Sequence, residues 1–141
     1  MPGTTSISKI LTRNDTGETG GHMAGIHVPK RGEILSFFPP LDKKFLNPRC
    51  QLTFIDDAGF FWLFNFIYYN NKFFGGTRNE YRLTGMTAFF RQYNLKSGDT
   101  VFLVRNEDGS GRIFFSKKET LRVAMGEVLK LKSSWQIISR Y

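Results

Sequence analysis

The stretch that most restricts the fold runs from Gln51 to Tyr69, QLTFIDDAGFFWLFNFIYY. Two runs rich in β-branched and aromatic residues, Gln51 to Ile55 and Phe60 to Tyr69, flank a segment of turn composition, Asp56 to Gly59, and together predict an antiparallel hairpin in the core. No basic residue is interleaved with Phe60, Phe61, Trp62, Phe64 and Phe66, so the run reads as core rather than as a platform for stacking bases. Asn65 interrupts it, and it is too short to cross a bilayer.

Other segments extend the strand pattern. Ser6 to Thr12 alternates as a first strand that carries Lys9. RNDTGETGGHMAG, Arg13 to Gly25, has the composition of a polar loop. It is not a phosphate-cradling P-loop, because no Gly-Lys-Ser/Thr ends it, although it can still touch phosphates or bases. In GIHVPK, Ile26 and Val28 face one way and His27 the other, until Pro29 stops the strand. Lys30, Arg31 and Glu33 lead into ILSFF, a helix of about two turns ended by Pro39 and Pro40. LDKKFLNP is a connector. Gly85 to Tyr93 predicts a short helix on Met86, Phe89 and Phe90. LKSGD is a turn, VFLV and IFF pair across NEDGSG, Glu119 to Leu131 is an amphipathic helix, and SSWQIISRY is a last strand. The class is mainly β with short helices (α+β), an open barrel of six or seven strands with two or three helices.

At 141 residues the chain has room for one domain, residues 1–141. Aromatics at 16%, with 15 phenylalanines, supply a packed interior and exclude general disorder. A formal charge of +8 favours a polyanionic partner, nucleic acid ahead of an anionic membrane surface. Cys50 is the only cysteine, so no intrachain disulfide forms, and with His22 and His27 it makes too few ligands for a Cys/His zinc site. No cofactor or metal is expected. MPGTTSISK lacks an apolar signal core, and the expectation is a soluble cytoplasmic protein without membrane attachment.

The functional signal lies in GGTRNEYRLT, Gly75 to Thr84. Arg78, Glu80 and Arg82 recur at every second position, which in extended backbone sends all three to one face and Asn79 and Tyr81 to the other. Such a row is too costly to bury and belongs on a surface. It could be a solvated edge strand whose charges discourage aggregation. The sharper reading is chemical: guanidinium forks match O6 and N7 of guanine, and a carboxylate accepts from N4 of cytosine. A loop made only to grip phosphate gains nothing from a carboxylate in its middle. The row is therefore expected to point outward together, free of internal ion pairs.

NDTGETGGHMAGIHVPK, LNP at Leu46 to Pro48, and IYYNNKFFGGTRNEYRLT resemble the N-terminal effector domain of the EcoRII type of restriction endonuclease, and LKSGDTVFLVR resembles the matching turn of plant B3-like DNA-binding domains. The likeness runs from about Ile7 to Phe115. It implies an open seven-stranded pseudobarrel with two or three short helices, gripping the major groove of double-stranded DNA with an N-terminal and a C-terminal arm. It also implies a CCWGG-like site, one copy per site, and a catalytic nuclease domain in a longer parent chain or as a partner. In the family the C-terminal arm carries the row matching Arg78, Glu80 and Arg82, and the N-terminal arm has a basic residue matching Lys9 and a histidine matching His22. His27 stands where that family has a DNA-touching tyrosine, Gly76 where it has a lysine, and Tyr81 where it has another basic residue.

The expected DNA contacts are thus Arg78 and Arg82 to guanine and Glu80 to cytosine, with Asn79 or Tyr81 holding sugar or phosphate. Lys9, Arg13, Asn14, Thr16, His22 and Lys72 would position the backbone, and Gly76, Thr77 and His27 complete the set. Asn14 and Thr16 have a plainer role open to them as caps of local turns, and Lys72 as a solvated charge. Three alternatives stand beside this reading. A complete metal-dependent nuclease would need a carboxylate cluster, for which Asp42 with Lys43, and Asp56 with Asp57, are the only loose candidates. A plant-type B3-like binder would read a different site. An RNA or single-strand binder is disfavoured by the missing aromatic and basic interleaving.

Overall fold

The computed structural model describes residues 4–18, 25–118 and 135–140. Its strands are β1 (Thr5–Ile10), β2 (Gly25–Val28), β3 (Arg49–Ile55), β4 (Phe61–Tyr69), β5 (Glu80–Thr84), β6 (Thr100–Arg105), β7 (Gly111–Ser116) and β8 (Trp135–Arg140). The helices are α1 (Arg13–Thr16), α2 (Glu33–Phe37) and α3 (Thr87–Gln92), with a 3-10 turn at Asn71–Phe74. The strands form one sheet in the order β2-β5-β4-β3-β7-β6-β1-β8. Every pairing is antiparallel except β3 with β7.

The predicted hairpin is the centre of that sheet: β3 and β4 pair from Arg49↔Ile67 to Ile55↔Phe61. Period-two alternation along β4 sends Phe64, Phe66 and Tyr68 inward. The same alternation leaves Phe61 and Leu63 exposed, and Phe60 is exposed at the turn, so the expectation of Phe60 and Phe61 in the core is corrected. In a run that is apolar on both faces, composition does not say which face is wet. From β4 the interior continues through α3, where Phe89 is fully buried and meets Trp62 and Phe64 edge to face.

The sheet curls until its two edges meet. β2 and β8 are the outermost strands, and the Trp135 indole N–H donates to the His27 carbonyl at 3.1 Å. The result is a half-barrel of eight strands rather than seven. The additional strand is β5, which holds Glu80 and Arg82 of the charged row, while Arg78 lies in the loop just before it. Leu83 and Tyr81 alternate inward along it, and β2 and β4 flank it on either side.

Two further departures are local. The segment after β1 begins not as loop but with α1, closed by a capping box in which Thr12 N–H donates to Asp15 Oδ2 at 2.9 Å and Asp15 N–H to Thr12 Oγ1 at 3.2 Å. Gly17, at φ +83°, ends it. α2 is one turn and a residue long, stopped where Phe38 turns extended ahead of Pro39. The amphipathic segment Glu119 to Leu131 lies outside the described residues, as does His22.

Candidate nucleic-acid interface

β5 is held on both sides. Tyr69↔Glu80, Tyr68↔Tyr81 and Ile67↔Arg82 pair it with β4, and His27↔Arg82 and Val28↔Tyr81 with β2. The pleat is fixed from below by stacked rings: Phe38 on Phe66 at 4.5 Å, Phe66 on Tyr81 at 5.6 Å, and Tyr81 on Tyr68 at 4.2 Å between centroids. With Tyr81 committed inward, Glu80 and Arg82 point outward. Tyr81 is 6% exposed and burial pushes its hydroxyl pKa up. Expected at a sugar or phosphate, it serves the core instead.

On the outer face the three charged groups converge. Arg78 Nε and Nη2 donate to Glu80 Oε2 at 3.1 and 2.9 Å, and Arg82 Nη1 lies 3.6 Å from Glu80 Oε1. The Arg78 guanidinium also sits 3.7 Å from the centre of the Tyr69 ring. The expectation that the row would be free of internal ion pairs is therefore not met. Side-chain exposures of 44% for Arg78 and 28% for Glu80 and Arg82 keep these pairs in contact with water. Pairs of that kind contribute about 0–1 kcal/mol. A partner offering better-matched donors and acceptors can displace them, and a guanidinium carries more N–H donors than these contacts consume.

The loop leading into β5 is fastened at its root. Asn70, 1% exposed, donates through Nδ2 to the Phe45 carbonyl at 2.9 Å, and its Oδ1 accepts from Asn47 N–H at 2.7 Å. Beyond it, Arg78 N–H donates to Asn71 Oδ1 at 2.6 Å, Lys72 N–H to the Arg78 carbonyl at 2.9 Å, and Gly76 N–H to the Asn71 carbonyl at 2.7 Å. A Cβ at Gly76 would lie 2.6 Å from Asn71 Cγ and Oδ1, so a side chain here displaces the group that anchors Arg78. Lys72, Thr77 and Arg78 are exposed on this loop. Asn79 is half-buried, with its Oδ1 accepting from the Tyr68 hydroxyl at 2.6 Å.

The other expected contacts divide. Arg13 and Asn14 are exposed on α1, which packs against β2, the strand beside β5, so this segment and the row occupy one end of the sheet. Thr16 Oγ1 donates to Glu18 Oε2 at 2.6 Å, and that oxygen also accepts from Ser97 N–H at 2.8 Å. The Thr16 and Ser97 hydrogen bonds hold the Glu18 carboxyl below its ordinary pKa. Lys9 is buried, with Nζ 3.0 Å from Asp15 Oδ2, so it fixes the start of the segment rather than facing outward. His27 is exposed beside Arg82 on the outer face. Arg49, exposed and in line with Ile67, Arg82 and His27 across the sheet, was not singled out by its sequence context; only the register reveals its place.

The loose nuclease candidates do not assemble. Asp56 is buried and accepts hydrogen bonds from Ala58 and Phe60 N–H, from the Trp62 indole at 2.8 Å and from the Tyr93 hydroxyl. Burial pushes its carboxyl up, but the Tyr93, Trp62, Phe60 and Ala58 hydrogen bonds outweigh it and the pKa is lowered. Asp57 is exposed, 3.8 Å from Arg112, and Asp42 caps Lys44 N–H at 3.0 Å. Among the described residues no group of three or more His, Cys, Asp or Glu could hold a metal ion, and no helix is long and apolar enough to cross a membrane.

Comparison with known proteins bears on this arrangement. Residues 1–117 match the family described as restriction endonuclease EcoRII, N-terminal. Over 139 residues the chain is 31% identical to the type II restriction enzyme EcoRII of Escherichia coli, an alignment covering 86% of this chain and 33% of that protein. Over 105 residues it is 37% identical to auxin response factor 3 of Oryza sativa subsp. japonica, covering 74% of this chain and 13% of that one. The chain therefore spans a third or less of these relatives. The solved structure titled Arabidopsis FUS3-DNA complex shares the fold, with a TM-score of 0.58 at 19% identity over 78% of this chain and 94% of that one.

Proposed function

The chain belongs to the family of restriction endonuclease EcoRII N-terminal domains, and on that premise we propose that residues 1–141 form one module that reads double-stranded DNA in the major groove, with no hydrolytic chemistry of its own. The observation that carries the reading is the convergence on Glu80 of Arg82, its outward neighbour on the doubly paired β5, and of Arg78, from the loop that leads into that strand. Successive outward residues of a strand are about 6.7 Å apart, roughly twice the rise of one base pair. The two contacts to Glu80, at 2.9 and 3.6 Å, draw the charged heads closer together than their backbones. That brings them towards the spacing of neighbouring base edges. Arg78 and Arg82 then donate to guanine and Glu80 accepts from cytosine.

Arg13, Lys72, Thr77, Asn79, His27 and Arg49 surround the row as backbone contacts, and Asn14, Thr16 and Gly76 shape the loops that present them. The site proposed is a CCWGG-like pseudo-palindrome gripped by one copy. Cleavage belongs to a nuclease domain in a longer parent chain or in a partner, acting in the cytoplasm. A plant-type binder with a different site is the second reading, favoured by the 37% identity to the rice auxin response factor.

Selection of bound duplexes from a random library tests both. Enrichment of CCWGG supports the first reading and enrichment of another duplex sequence the second. Retention of duplex and single strands without sequence preference would remove both. Incubating the chain with the selected duplex and magnesium tests the absence of chemistry, and clean cutting would overturn it.

A further inference from the structure

The loop between β4 and β5 presents two adjacent phenylalanines to solvent, Phe73 at 66% and Phe74 at 49% exposure. They are not at a frayed tip. The 3-10 turn that holds them starts at buried Asn70, ends at Gly75 in the left-handed region at φ +94°, and is tied back to Arg78 through Asn71 and Lys72. Asn70 also fastens it to the 42–47 loop, which exposes Phe45 and Leu46. Apolar side chains held outward on bonded backbone mark a contact surface. Its setting is cationic: Lys72 and Arg78 share the first loop, Lys43 and Lys44 lie on the second, and Arg49 follows it. A polyanion that carries apolar groups fits both features.

From this geometry, and resting on the duplex-reading function proposed above, we infer that Phe73 and Phe74 form an apolar reader that packs on a thymine C5 methyl group in the major groove. The loop approaches whichever groove the Arg78 row enters, since Arg78 N–H is bonded to Asn71 Oδ1 at 2.6 Å and fastens the two together. In the major groove the methyl of thymine is the apolar group on offer, whereas wedges driven between base steps come from the minor-groove side. Arg78, Glu80 and Arg82 supply donors and an acceptor for G and C, but nothing suited to a methyl. The phenylalanine pair completes the set, and so makes an A·T pair part of the site.

The test measures dissociation constants of the 141-residue chain for its selected duplex and for duplexes in which 2′-deoxyuridine replaces each thymine of the site in turn. For the unsubstituted chain, loss of one methyl should weaken binding roughly fourfold at one position. In the Phe73→Ala/Phe74→Ala double variant that penalty should vanish, while preference for the selected site over a scrambled duplex persists. Phe73→Leu/Phe74→Leu should keep part of it. Unchanged thermal unfolding of the variants separates this from misfolding. Equal binding of thymine and deoxyuridine duplexes, a penalty that survives the double substitution, or a selected site without thymine would overturn the inference and leave the base-reading row standing. Absence of any duplex preference in the unsubstituted chain would remove both.

Discussion

Two ion-paired clusters, one on β1 and one on β5, are built in opposite ways. Lys9 and Asp15 meet at 3.0 Å with side chains only 7% exposed, and Asp15 also closes the capping box of α1. Glu80 meets two arginines with its side chain 28% exposed, and no backbone N–H is bound to it among the described hydrogen bonds. The first cluster is enclosed and its carboxylate satisfied by fixed groups; the second is wet and its carboxylate is shared between two partly exposed arginines. Burial, not the identity of the charges, separates the enclosed pair from the cluster proposed to read DNA.

The largest effect should come from breaking the enclosed pair. Asp15→Ala leaves Lys9 buried without its carboxylate and removes the cap, and should cost about 3–5 kcal/mol of stability, read as a lowered denaturation midpoint at unchanged slope. If the loss were under about 1 kcal/mol, Lys9 would have to be reaching water in the folded protein, and its role at the interface would reopen.

Asp56 extends the contrast as a second enclosed carboxylate, and pH tests it. The Tyr93 hydroxyl, bonded to Asp56, is pushed up to about 12 from an ordinary 10.0. A raised pKa stabilises the fold below pH 10 and loses that contribution as pH climbs through about 12. The lowered Asp56 carboxyl acts in the other direction: its contribution is in place above about pH 3.8 and fades as pH falls through the folded value. Tyr93→Phe should cost about 1.5–3 kcal/mol near neutrality and remove the alkaline limb. A variant as stable as the parent at pH 7 would show the Asp56 knot to be incidental.

Substitutions in the exposed cluster should spare stability and change binding. Arg78→Ala should cost about 1–3 kcal/mol on the selected duplex and relax preference at one base pair, with unfolding shifted by no more than about 0.5 kcal/mol. Glu80→Ala sharpens the point, because a carboxylate repels phosphate: affinity for random duplex should rise while discrimination falls by a similar amount. Parallel losses on selected and random duplexes for both variants would mean that the row grips charge and reads nothing.

How much of this was legible in the chain depends on how local the signal is. The β3–β4 hairpin was, because alternation and turn chemistry sit side by side in sequence. The outward face of the row was also legible from period two, and the same arithmetic already sends Tyr81 inward; assigning it to DNA overrode the pleat. α1 escaped because four residues are too few for a helical period, leaving only the Thr12 to Asp15 cap to announce it. Contacts between distant residues left no trace: Lys9 with Asp15 across a strand end, Asn47 with Asn70, Trp135 with His27. Phe73 and Phe74 looked like ordinary apolar residues until the bonded turn showed them held outward.

The smallest expected effect marks the outer limit of the exposed cluster. Lys72 is exposed on the same loop as Arg78, and its backbone N–H, not its ammonium, closes the loop at 2.9 Å. Lys72→Ala should therefore leave the loop in place and remove only a charge. One lost phosphate contact lowers the salt slope of duplex binding by about 0.9 and weakens binding roughly fivefold at physiological salt, equally on selected and random sequences. Arg78 sits only six positions along the same loop. If its loss is sequence-dependent and that of Lys72 is not, the boundary between reading bases and holding the backbone falls between these two residues. A sequence-dependent Lys72→Ala loss would move that boundary to the tip of the loop and make the lysine a reader too.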